Sequence, residues 1–150
     1  MSSTLFGLTF ALAAPFWALM ILAPRWSWTG RIVGSPLIVV PVLLVYAALV
    51  LPALGTVLPV VTAPTLDGLR DLLGSADGAA AAWAHMIAFD LFVGRWIWQD
   101  ARERGLPALL TAPVLLLTVL LGPVGLAVHL GLRAGWPRPV NAVAPAAPVA

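Results

Sequence analysis

The chain has 150 residues, 61% of them hydrophobic and 9% charged, with a mean hydropathy of +1.01. Soluble domains carry roughly 25% charged residues, so this composition reads as that of a protein whose solvent is a bilayer. The basic residues are all arginine and exceed the acids by two, too few and too dispersed for nucleic-acid binding. There is no cysteine, which excludes a disulfide framework, a thiolate nucleophile and an iron–sulfur cluster.

Four apolar runs are candidates to span, each near the ~20 residues that a helix needs to cross a hydrocarbon core. The first covers about 5–22, with a kink expected at Pro15, and "APRWSWTGR" ends it with Trp26 and Trp28 beside Arg25 and Arg31 as a headgroup belt. The second covers 36–61. Pro36 suits a first helical turn, and Pro41, Pro52 and Pro59 predict a bent or broken helix. Residues 62–78 form a polar link with a short surface helix expected at Leu66–Leu73. The third span covers 79–98 and ends at "QDARERGLP", read as a solvated connection with ion pairs of little value. The fourth covers 108–132, weakened in its middle by "LGPVGL". The Pro/Ala-rich tail, 133–150, is expected to be disordered.

The predicted fold is therefore all-α: an integral membrane four-helix bundle with kinked helices, a single domain over 1–132. Arg25, Arg31, Arg95, Arg102 and Arg104 fall in or beside the 1–2 and 3–4 links, against Arg70, Arg133 and Arg138 on the other side. The positive-inside rule then puts both termini outside. The N-terminus has neither a basic signal region nor a transit sequence, and the expected location is a bacterial cytoplasmic membrane.

Chemistry concentrates in the third span. Asp90 lies near its middle, where an ionised carboxylate costs at least about 2.5–3.5 kcal/mol on insertion scales. It must be neutral, paired or facing a wet cavity, and it serves either helix packing or function. At about 100° per residue, Trp83, Asp90 and Gly94 share one side, His85, Trp96 and Glu103 another, and Arg95 points elsewhere. Gly94 admits a close neighbour. Arg95 either partners a carboxylate or snorkels to the interface. His85 either works with Asp90 or bonds a carbonyl, and the tryptophans Trp83, Trp96 and Trp98 include belt residues. His129 is expected toward the same membrane face as His85. No metal is predicted, because the histidines lack ligand spacing and the aspartate lies at another level. Nucleotide, phosphate and serine-nucleophile motifs are absent from the sequence.

The string "WAHMIAFDLFVGRWIWQDARERGLP", followed by "LGPVGL" at 121–126, resembles the abscisic-acid-deficient-4-like family of small four-helix membrane proteins. The likeness extends over about residues 5–132, and its specific positions are Trp83, His85, Asp90, Leu91, Phe92, Arg95, Asp100, Gly122, Pro123 and Gly125. Plant members are required for neoxanthin formation in plastid membranes. The resemblance implies a redox-neutral isomerisation of a carotenoid end ring, which needs an acid, a base and an apolar slot but no cofactor. It assigns Asp90 and His85 to acid–base work and Arg95 to charge stabilisation. Trp83, Phe89, Phe92, Trp96, Gly122, Pro123 and Gly125 become substrate-binding residues. The implied partners are membrane lipid or carotenoid, a second copy of the chain, or a carotenoid enzyme. A non-catalytic carotenoid- or lipid-binding accessory is the rival reading, and a proton-coupled transporter dimerised around Gly94 is a third.

Overall fold

The computed structural model describes residues 1–136. These residues form helices joined by short turns, with no strand among them. Helix α1 is Ser2–Leu22 and α2 is Ser27–Gly34. The second apolar run is divided by its prolines as expected: a 3-10 turn at Pro36–Val39, α3 at Val40–Val50, a second 3-10 turn at Leu51–Ala53, and α4 at Leu54–Thr62. Pro52 lies in the second turn, where its missing N–H leaves the α-helical ladder incomplete. Helix α5 is Leu66–Gly74, capped by the Thr65 hydroxyl, which accepts from the Gly68 N–H at 3.1 Å.

Helix α6, Ala76–Glu103, is the central element, packing against α1, α3, α5 and α7. It starts on a Ser75 cap, with Gly78 so tight against the Leu72 carbonyl that any side chain there would collide. It runs past the expected end at 98, through the stretch read as a connection, and stops only at the Gly-Leu-Pro sequence. Gly105 takes a φ of 69°, and the Leu106 N–H reaches back to the Ala101 carbonyl at 2.9 Å before Pro107 turns the chain. Between these ends Ile87, Ala88, Leu91, Ile97 and Trp98 join Ala13, Trp17 and Met20 of α1 and Val114 and Leu115 of α7 in the main core.

The fourth run differs from expectation. It is not one kinked span but two 13-residue helices, α7 at Ala108–Leu120 and α8 at Gly122–Ala134, packed on each other as a hairpin. At about 1.5 Å per residue each is near 20 Å, short of a hydrocarbon core. The reversal is sharp because Gly125 lies directly on Thr118, where a Cβ would strike the threonine hydroxyl and backbone. The hairpin carries the end of α8 back to the end of α6, where Arg104 Nη1 donates to the Trp136 carbonyl at 3.0 Å. Ser2 meanwhile contacts Asp77 at the start of α6. Residues 2 and 136 therefore lie at opposite ends of the bundle, whereas the expectation placed both termini on one side; the C-terminus itself lies outside the described residues.

The four-helix expectation is replaced by eight α-helices among the described residues. The segments Ser2–Leu22 and Pro36–Thr62 are long and apolar enough to cross a membrane by length and composition, while α7 is a shorter apolar helix. Of the tail expected from residue 133, Arg133 and Ala134 belong to α8. Residues 137–150, with the expected disorder and Arg138, lie outside the described residues.

Candidate functional site

The tip of the hairpin meets the middle of α6. A Cβ on Gly122 would overlap the Asp90 carboxyl, so glycine is what lets the two elements touch. Leu121 is the N-cap residue of α8 and Pro123 occupies its first turn, so the hairpin tip beside Asp90 is the start of that helix. Asp90 is half-buried and has no hydrogen bond or ion pair among the described residues. Gly94, one turn along, receives the Trp17 ring, and a methyl there would run into it. The close neighbour at Gly94 is thus an indole of the same chain.

Beside Asp90 lies a cavity of about 770 Å³. Its wall is apolar, formed by residues such as Phe10, Met86, Val119 and Leu120, and its ionisable lining is His85 and Asp90. Of the residues predicted from sequence, Trp83, His85, Phe89, Asp90, Gly122 and Pro123 come together here. Trp83 is held by stacking on Phe6, with ring centroids 5.4 Å apart. His85 stacks on Phe89 at 4.7 Å and tilts against Tyr46 at 5.8 Å, and among the described residues no hydrogen bond joins it to Asp90. A smaller cavity of about 260 Å³ continues along α6, where Phe89 and Phe92 face Val39 and Leu43. His85, Phe89 and Phe92 sit at i, i+4 and i+7 on one exposed helix face.

The other predicted residues lie apart. Arg95 Nε donates to the Val33 carbonyl at 2.9 Å and its Nη2 to the Gly34 carbonyl, so its guanidinium caps α2 rather than facing Asp90. Trp96 sits edge-on to His129, with centroids 5.3 Å apart, and lies under Arg133. Gly125 serves the hairpin turn. Trp98 is 3% exposed and belongs to the core, not to an interfacial belt.

A second polar cluster was not anticipated. Asp100 is 3% exposed, and its Oδ2 takes Arg104 Nε at 2.8 Å, lies 3.1 Å from His129 Nε2 and 3.7 Å from Arg133 Nε. Burial pushes the Asp100 carboxyl up, but hydrogen bonds from Arg104 and His129 and the charges of Arg104 and Arg133 outweigh it and hold the group below the usual carboxylate value. The stretch read as a solvated link therefore contains a buried clamp. It also corrects the position of His129, which is not beside His85: fifteen residues of helix separate His85 from Asp100, about 22 Å. The Asp100/Arg104 i,i+4 spacing was a readable pairing signal, but its burial depends on the return of α8.

No solved structure matches the chain. Protein ABA DEFICIENT 4, chloroplastic, from Arabidopsis thaliana is 28% identical over 139 residues, covering 89% of this chain and 62% of the plant protein. The chain thus spans less than two thirds of that relative's length. The ABA DEFICIENT 4-like family matches residues 4–129, including α6 and the hairpin tip. The chain belongs to the ABA DEFICIENT 4-like family.

Proposed function

We propose that this chain is an integral membrane protein that isomerises a carotenoid or related isoprenoid lipid, with Asp90 as the proton-transferring group. The observation that carries the reading is a carboxyl without a partner among the described residues, set in the wall of an otherwise apolar 770 Å³ cavity. That volume lies within the roughly 300–1,000 Å³ usual for ligand sites. The aromatic face at Phe89 and Phe92 extends the cavity along α6, as a long polyene requires, while an end ring occupies the space beside Asp90.

Opening an epoxide on such a ring balances without a redox partner. The carbon–oxygen bond breaks as its oxygen gains a proton, and a carbon on the adjoining chain loses one, leaving its electron pair in a new double bond. Asp90 passes through neutral and ionised forms in this cycle. His85, on the rim, is the second proton carrier. In this reading α1, α3–α4 and α6 span the bilayer and α7–α8 enters as a re-entrant hairpin, which is tolerated where it packs on protein. Six arginines gather at one end, Arg25, Arg31, Arg95, Arg102, Arg104 and Arg133, against Arg70 at the other among the described residues. The positive-inside rule makes the six-arginine end cytoplasmic.

The second reading, a carotenoid-binding accessory without catalysis, is favoured by the exposed position of His85 and its separation from Asp90. Expression of the chain alone in hosts making carotenoids with and without epoxide rings decides between them. A new isomer confined to the epoxide host supports the enzyme, co-purifying but unchanged pigment supports the accessory, and no pigment in either removes both.

A further inference from the structure

A second cavity, about 470 Å³, opens at the arginine-rich end, between the end of α1, the last turns of α6 and the start of α7. Two features of its wall, the side chains of Arg102 and Arg25, point to an anion. Arg102 is fixed there, stacked over Trp98 at 4.8 Å and donating to the Pro24 carbonyl at 2.7 Å. Arg25 lines the same space, exposed and without an ion-pair or hydrogen-bond partner among the described residues. Trp98 is buried, and its indole N–H has no acceptor among the described residues.

We propose that this cavity seats the phosphate of an anionic phospholipid, held by Arg25 and Arg102. The level fits a headgroup. Trp26 and Trp28, each about half exposed, adjoin it in sequence as interfacial residues do. Leu22 and Leu109, 81% and 87% exposed, flank it in sequence and offer apolar surface to acyl chains. Basic pockets at the cytoplasmic ends of membrane helices bind such headgroups, each cation contributing through the anionic surface as well as by contact. The proposal rests on the membrane reading above, which an alkaline carbonate wash of membranes tests separately.

The test uses the full chain, delipidated in neutral detergent, and follows its melting temperature and retained lipid by native mass spectrometry. Added phosphatidylglycerol is expected to raise the melting temperature and remain bound, whereas phosphatidylcholine is not. Arg25→Gln, which breaks no internal contact, is expected to weaken phosphatidylglycerol binding about fivefold. Arg31→Gln, which removes a cation stacked on Trp28 outside the cavity, leaves binding unchanged. Equal responses to the two lipids, or wild-type affinity in Arg25→Gln, overturn the proposal. Stabilisation by inorganic phosphate equal to that by phosphatidylglycerol makes the site one for free anions and overturns the lipid assignment.

Discussion

Replacing Asp100 by alanine removes the acceptor shared by Arg104, His129 and Arg133. The Arg133 side chain is about one-third exposed and can turn to solvent, but Arg104 is 9% exposed and His129 1%. Removing one partner of a buried ion pair costs about 3–5 kcal/mol, because the other charge stays buried. Arg104 keeps its bond to the Trp136 carbonyl, which places the loss near the lower figure. For a chain of this size, about 3 kcal/mol lowers the melting temperature by roughly 6–12 °C. The control is Asp67→Ala: its pair with Arg70 is 3.8 Å long, with side chains 85% and 77% exposed, and is worth less than about 1 kcal/mol. Melting in detergent, followed by tryptophan fluorescence, compares the two, and hydrogen exchange locates the damage, expected first in α8. If both variants melt together, Asp100 does not hold the hairpin and the reasoning fails.

Three further outcomes follow from the same contacts. Because the Asp100 carboxyl titrates below its ordinary value when folded, its stabilisation is complete above the unfolded carboxyl value and is lost as the pH falls through the lowered folded one. An acid titration of Asp100→Asn is expected to lack that part of the wild-type decline in melting temperature. Gly94→Ala drives a methyl into the Trp17 ring and is expected to cost about 1–3 kcal/mol, read as a lower melting temperature, whereas Gly7→Ala, with open space around it, is neutral or slightly stabilising. Arg95→Ala strips the α2 carbonyls of their cap and is expected to speed hydrogen exchange in α2 without altering the Asp90 cavity.

The sequence carried most of the local structure. The short helix after the second run was expected close to where it forms, Gly105 with Pro107 marked the end of α6, and Pro52 marked the break of the second run. Asp90 and the Gly122–Pro123 break were also visible, since a carboxyl and a broken helix are both anomalous in apolar runs. What escaped is long-range. Hydropathy runs unbroken across "LGPVGL", so a reversal and a kink look alike in a window average. Only the length of each half, too short to span, separates them. The burial of Asp100 escaped for the same reason, since the groups that cover it arrive with α8. Arg95 illustrates the converse: its charge is obvious, but its partners are backbone carbonyls, which leave no mark in side-chain spacing.

The most direct test of the account is turnover of an epoxide-ring carotenoid by purified, liposome-reconstituted wild-type protein and its Asp90→Asn variant, with melting temperature measured on both. Isomerised product is expected from the wild type, and a loss of at least about a hundredfold in rate from Asp90→Asn, the low end for a positioned acid or base, with pigment still bound and the fold intact. Equal turnover by a folded Asp90→Asn protein would contradict it and leave Asp90 as the residue on which the hairpin tip rests.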